Sequence, residues 1–306
     1  MSWIFLAGDR VYKLKKPVRY PFLDFSTLSA RAYFVGEEIK LNRRLAPDVY
    51  LGARSLTVGE TGRLSLDEEG NVVDWLVEMR RLPAERMLDQ LVELGELREA
   101  DIDRVADVLA GFYHDLAPAE MEPKAYADRF LTEHRRTADT LQDERFSFDG
   151  PRLNRALQHF EREFDKVRGG LEERARRGRV VEGHGDLRPE HVCLVEPVAI
   201  IDCLEFNRGL RLVDPFDEIV FLGLECARMG ADWVLPRLRS RLAGALGDEP
   251  TEEVLAFYWR YRALLRARLA LLHLVEPVLR KRDKWRPLAW HYLEMAEDAE
   301  SWIRKS

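Results

Sequence analysis

Two aspartates, Asp186 and Asp202, flank a pair of short apolar runs, 192–195 and 198–201, which Glu196-Pro197 separates. β-Rich runs split by a proline-bearing turn predict a hairpin. A hairpin brings the chain back to where it began, so Asp186 before the first run and Asp202 after the second are expected as neighbours. Two carboxylates in one cleft repel each other unless a cation sits between them. The chemistry open to such a pair is divalent-metal binding and phosphoryl transfer. A second reactive pattern lies near the start of the sequence, where strand alternation over 10–15 puts Val11, Lys13 and Lys15 on one face. A lysine on the inner face of a strand wants an anion. The plainer alternative makes Lys13, Lys15 and Lys16 a solvated basic strand end.

The stretch His184-Gly185-Asp186-Leu187, with Asp202-Cys203-Leu204-Glu205-Phe206-Asn207 after the hairpin, resembles the catalytic segment of the aminoglycoside phosphotransferase family. That family is a branch of the protein-kinase-like fold, and the Asp-Cys-Leu-Glu-Phe-Asn ending resembles an uncharacterised stand-alone branch of it. The resemblance implies an α+β, bilobal fold, with a small β-rich N-lobe over residues 1–80 and a larger, mostly helical C-lobe over 81–306. It implies an ATP- and Mg²⁺-dependent kinase acting on a hydroxyl of a small molecule. Asp186 would receive or orient the hydroxyl proton, and Asp202 would hold metal as the Asp of a kinase Asp-Phe-Gly motif does. The family's metal-binding Asn falls on His191. Imidazole can ligate a divalent ion, although Mg²⁺ prefers oxygen, so His191 takes the ligand role, Glu205 assists, or metal binding is weakened.

The elements that must position these groups follow from the N-terminal pattern. Residues 3–7 and 10–15 flank Gly8-Asp9, a hairpin-type turn. Ser26-Thr27-Leu28 signals the start of a helix over 29–45, ended near Pro47. Glu38, Leu41, Asn42 and Leu45 share one face of that helix. Strands are expected over 50–58 and 72–79, with 67–71 as the turn between them. In the kinase pattern Lys13 binds nucleotide phosphates and pairs with a helical Glu, here Glu38. Val11, two residues before that lysine, would line the adenine pocket, and the backbone of Glu78 and Met79 would contact the adenine at a hinge. Glu38 could instead form a surface pair with Lys40 or Arg43. The sequence contains no glycine-rich loop and opens almost directly on a strand, which leaves either a minimal phosphate cover or a missing N-terminal segment.

From residue 84 onward helical spacing dominates, over 84–94, 101–116 and 154–177, with a polar stretch and loop over 118–150. Asp214 and Asp217 match the family's Asp-Pro then Asp pattern, in which the second aspartate braces the catalytic loop; both could also be helix N-caps. The tail from Thr251 reads as two further helices. The first of them, 253–273, is apolar nearly all round yet carries Arg262 and Arg266 one turn apart. Buried guanidinium groups need anionic partners. Asp217, Glu218 or Glu225 would serve internally. Alternatively the arginines line the acceptor cleft and grip an anionic group of the substrate.

Composition bounds the function class. At 306 residues the chain exceeds a usual single core, and 46% hydrophobic with 33% charged residues describes a globular protein. A formal net charge of -6 argues against a general nucleic-acid binder. Apolar runs are broken before membrane-spanning length, and no cationic, apolar leader is present. Cys193, Cys203 and Cys226 lack CxxC spacing, which suits a reducing cytoplasm. A zinc site from His184, His191, Cys193 and Cys203 would need irregular spacing. A serine hydrolase is unsupported, because no Gly-x-Ser-x-Gly elbow occurs. The rival to an active kinase is a kinase-like protein that binds nucleotide or a partner without catalysis.

Overall fold

The computed structural model describes residues 1–20, 23–148, 150–275 and 282–304. It divides into two compact units, Met1–Asp115 with Glu182–Leu212, and Leu116–Val181 with Val213–Ser306. The fold is mixed α+β, with a five-stranded sheet in the first unit and helices throughout the second.

In the first unit, β1 (Ser2–Ala7) and β2 (Arg10–Lys15) form the expected hairpin. Gly8 takes the positive φ of +60° that the two-residue turn demands. Helix α1 (Leu28–Asn42) starts where Thr27 accepts the Ala30 N–H at 3.1 Å. Strands β3 (Tyr50–Val58) and β5 (Asn71–Arg80) follow, with β4 (Leu64–Leu66), a short strand the pattern did not announce, between them. The antiparallel order is β1-β2-β5-β3-β4. Val11 pairs with Met79 and Lys13 with Val77 in the β2–β5 register. Helices α2 (Leu88–Glu93) and α3 (Glu99–Asp115) complete the N-terminal part of the unit.

The segment that returns to this unit carries the predicted hairpin, β6 (Val192–Cys193) against β7 (Ala199–Ile200). Its apolar side chains join a core with α1 and the sheet, in which Cys193 and Ala199 meet Val35, Ile39, Tyr50, Val77 and Met79. Burying the hairpin there anchors its two ends, and with them the chemistry, beneath α1.

The second unit contains α4 (Pro123–Leu141), α5 (Pro151–Arg176), α6 (Pro215–Arg228), α7 (Val234–Leu246), α8 (Glu252–Leu272), α9 (Arg282–Glu297) and α10 (Ala299–Arg304). Helix α8 is its centre and packs on α4, α5, α6, α9 and α10. Two expectations need correction. The polar stretch 118–150 holds a full helix, α4, whose buried stripe is Tyr126, Ala127, Phe130, His134, Thr137 and Leu141. Polar residues at two stripe positions hid its period. The tail from Thr251 forms three helices among the described residues, not two. No described helix is long and apolar enough to cross a membrane.

Candidate functional site

Every residue singled out for phosphate, metal or hydroxyl chemistry lies in the first unit. Strand alternation aims Lys13 and Lys15 at the same carboxylate. The Lys13 ammonium is 2.8 Å from Glu38 Oε1 and 2.5 Å from Asp202 Oδ1. Lys15, fully buried, is 2.6 Å from Glu38 Oε2 and also contacts Glu205 Oε1. Phe25 supports it from the side, with the ammonium 4.8 Å from the ring centroid. Glu38 is therefore a buried bridge between two lysines, and the surface pairing with Lys40 or Arg43 is not what forms. Lys40 pairs with Glu37 instead.

The electrostatics follow from this crowding. Burial alone would lower the Lys13 ammonium, but Asp202 and Glu38 hold it well above its ordinary range. Burial would raise Glu38, yet Lys13 and Lys15 keep it lowered. Partial burial would raise Asp202, yet Lys13 keeps it well below the usual carboxylate range. Glu205 goes the other way: burial and the nearby Glu38 charge push it up. Two lysines face three carboxylates, so a fully ionised cluster keeps one negative charge in excess.

The segment 183–188 is built around Gly185. Gly185 has φ +87°, and a Cβ there would come within 3.1 Å of the Leu210 carbonyl and of Arg211 Cγ. Only glycine meets both demands. The Asp186 N–H donates to His184 Nδ1 at 3.2 Å, so the opposite nitrogen, His184 Nε2, carries the proton and donates to the Ile201 carbonyl at 2.9 Å. Burial pushes the His184 imidazole down to about 4, with His191 adding to the effect. His184 is thus a neutral strut from the Asp186 loop to the residue before Asp202.

His191 joins the two aspartates. Its Nδ1–H donates to the Asp186 carbonyl at 2.8 Å, and its Nε2 lies 3.6 Å from Asp202 Oδ2. An imidazole lone pair and a carboxylate oxygen face to face make a donor set that fits a cation. The Asp202 side chain is 45% exposed and accessible to one. Glu205, the other candidate ligand, contacts Lys15. The Asp186 carboxylate accepts from Arg188 at 2.9 Å, and Arg188 also reaches within 3.3 Å of His191 Nε2.

No family model matches this sequence. The chain is 33% identical over 277 residues to uncharacterized proteins Rv2004c of Mycobacterium tuberculosis and Mb2027c of Mycobacterium bovis, an alignment covering 87% of this chain and 52% of theirs. It spans about half the length of the curated relatives it matches. Among solved structures, choline kinase from Cryptosporidium parvum superposes with a TM-score of 0.57 at 9% identity, covering 99% of this chain and 91% of that one. A spectinomycin phosphotransferase in its AMP-bound complex gives a TM-score of 0.49 at 12% identity, over 97% of this chain and 87% of the other. The fold is kinase-like.

The remaining predicted residues fall as follows. Val11 and Met79 are cross-strand partners and pack in the same core. Glu78 turns its carboxylate to the opposite face, where Tyr12 and Arg54 bind it at 3.3 and 2.7 Å. The hinge expected at Glu78 and Met79 is not where the structure puts it, because both residues lie inside β5 with β2 paired on one side and β3 on the other. Arg262 and Arg266 belong to the second unit. Arg262 grips Asp217 with two nitrogens at 2.7 Å each, and Arg266 reaches Glu225 at 2.7 Å. The Asp217 carboxylate is thereby engaged by Arg262, while Asp214 caps α6 and pairs with Arg174 at 2.6 Å.

Four residues escaped the sequence reading of the site: Asn42, Arg44, Tyr50 and Arg188. Asn42 offered a signal, as a polar side chain one turn after Glu38 on a face otherwise bound for the core. Arg44 donates to the carbonyls of Glu182 and Gly183 at 2.7 and 2.9 Å, a long-range link that no local pattern carries.

Proposed function

We propose that this chain is a phosphotransferase that moves a phosphoryl group from Mg²⁺-bound ATP to a hydroxyl of a small molecule. The observation that carries the reading is the span made by His191, from the Asp186 backbone on one side to the Asp202 carboxylate on the other, beside the Lys13–Glu38 pair. The kinase-like fold supports it.

In this reading Asp202 and His191 are the residues that would hold the divalent ion, which when bound supplies charge neutralisation at the phosphates. Lys13, held fully charged, binds phosphate oxygens and exchanges its Asp202 contact for them. Glu38 keeps the Lys13 ammonium in place through that exchange. The Asp186 carboxylate orients the acceptor hydroxyl and takes its proton, while Arg188 fixes the carboxylate's direction. Val11 borders the adenine. The setting is the cytoplasm, and the partners are a nucleotide and a small hydroxyl compound, not nucleic acid or a membrane.

Kinship of fold licenses the chemistry more than the substrate. A second reading, a kinase-like protein that binds nucleotide with little or no transfer, draws on His191 standing where an oxygen ligand is expected. A phosphoacceptor screen over small hydroxyl compounds, with and without Mg²⁺, separates the two. Asp202→Ala should abolish Mg²⁺-dependent ATP binding in calorimetry. Retained affinity for Mg²⁺-ATP in that variant would remove the metal role from Asp202.

A further inference from the structure

Asp202 has a φ of +63°, a left-handed backbone conformation rare for a residue with a side chain. Such a conformation persists only where the surroundings over-determine it. Three buried side chains, each from a different part of the chain, grip the two peptide groups that flank the Asp202 Cα. His184 donates to the Ile201 carbonyl at 2.9 Å. The Tyr50 hydroxyl, at the start of β3, accepts the Asp202 N–H at 3.1 Å. Asn42, in the last turn of α1, accepts the Cys203 N–H through Oδ1 at 2.8 Å. The peptide before Asp202 is thus held at both edges, and the peptide after it is held by its N–H. With both planes fixed, neither φ nor ψ of Asp202 is free.

Building on the reading of Asp202 as the metal-binding carboxylate, we propose that Asn42 and Tyr50 are positioning residues that lock Asp202 in its left-handed conformation, with its carboxylate aimed at Lys13 and His191. Both side chains are almost wholly buried, Asn42 at 0% and Tyr50 at 1% exposure. The amide orientation of Asn42 is set from its other end, where Nδ2 donates to the Glu38 carbonyl at 2.8 Å. One helix turn therefore carries both the carboxylate that holds Lys13 and the amide that holds the backbone beside Asp202. The phosphate-binding lysine and the metal-binding aspartate are kept in register by α1 rather than by their own loops. Were the backbone of 201–203 to relax to an ordinary conformation, the Asp202 side chain would leave both partners.

The test uses Tyr50→Phe, which removes a single hydroxyl, and Asn42→Leu, which removes both amide bonds at similar volume. Amide hydrogen exchange is read at Asp202 and Cys203 in metal-free protein, and ATP affinity is read with and without Mg²⁺. Tyr50→Phe should speed exchange at Asp202, and Asn42→Leu at Cys203, by about tenfold each, the scale of one buried hydrogen bond. Each should weaken Mg²⁺-ATP by about tenfold with metal-free ATP little changed. In an Asp202→Ala background, adding Tyr50→Phe should leave ATP affinity unaltered. Unchanged exchange at 202–203 in the Tyr50→Phe protein overturns the proposal, as does an equal loss of affinity with and without Mg²⁺. A wild-type protein with no Mg²⁺-linked ATP binding would count against the phosphotransferase reading, while the exchange measurement would still decide whether Tyr50 and Asn42 hold this backbone.

Discussion

Lys13 and Lys15, two positions apart on β2, divide one buried carboxylate between them, Glu38 Oε1 at 2.8 Å from the first ammonium and Oε2 at 2.6 Å from the second. One anion serves two cations of different exposure. Lys13 also reaches the accessible Asp202, whereas Lys15 is sealed in with Glu205. Only the outer lysine touches an accessible carboxylate.

Glu38→Ala should therefore cost more than an ordinary ion-pair deletion. It leaves two desolvated ammonium groups short of a partner, a loss of about 3–5 kcal/mol for a buried pair broken on one side. Lys15→Met in the same protein should recover part of that loss, because the fully buried cation is then gone. Urea unfolding of the single and double variants checks both statements.

Asp186→Asn keeps the shape of the loop and its Arg188 neighbour but removes the proton acceptor. Nucleotide affinity should stay near wild type while transfer falls by roughly 10²-fold or more, the usual scale for a general base. Turnover at the wild-type rate would remove Asp186 from the chemistry.

His191 presents a nitrogen where Mg²⁺ would choose oxygen. His191→Asn should shift the balance of metal affinities toward Mg²⁺ over Mn²⁺, because the carboxamide oxygen is the harder ligand. It also gives up the 2.8 Å bond to the Asp186 carbonyl. Calorimetric titration with each ion reads the first effect, and kcat at saturating metal reads the second.

Two buried histidines, His134 and His184, are each pushed down to about 4 by burial. The unfolded chain binds protons on them from about pH 6.5 downward, while the folded chain refuses until about pH 4. Their contribution is intact above pH 6.5 and is lost as pH falls, on the order of 3 kcal/mol for each at pH 4. Asp202 and Glu38, lowered in the fold, lose stabilisation in the same direction at lower pH still, whereas Glu205, raised, acts in the opposite sense. His134 stacks on Phe160 at 4.0 Å with a 9° tilt, so phenylalanine fits its place. His134→Phe should flatten the slope of stability against pH between 4 and 6.5, as measured by denaturant midpoints.

Arg262→Met should lower the melting temperature sharply. It leaves the buried Asp217 with Arg129 at 3.9 Å in place of a two-pronged partner. Arg266→Met should cost less, since Glu225 retains Arg228 at 3.0 Å and the Tyr292 hydroxyl at 2.7 Å. A raised acceptor KM in a variant of normal melting temperature would instead give these arginines a place in substrate binding.

Much of the local architecture was legible in the residues. The Gly8-Asp9 hairpin, the Thr27 cap, the strand beginning at Tyr50 and the hairpin at 192–201 each depend on contacts within a few positions, and turn chemistry and alternation report such contacts directly. Helix α4 was not legible, because His134 and Thr137 occupy a stripe that a hydrophobic period requires to be apolar. The Lys13–Glu38 pair forms as the family resemblance implied, but that Lys15 shares the same carboxylate was not legible. Alternation put Lys13 and Lys15 on one face, but only the depth of the packed sheet makes one accessible and buries the other.

The sequence by itself determined the inventory and its order: two aspartates around a hairpin, a lysine strand, a glutamate helix, and a glycine where the backbone admits nothing larger. The tertiary structure alone decided the long-range pairings, namely Glu205 with Lys15, and Asn42 and Tyr50 on the backbone of Asp202. The reason is physical. Secondary structure responds to neighbours three or four residues away, whereas a buried charge or N–H must find its partner wherever packing puts one, and here those partners lie more than a hundred residues apart in the chain.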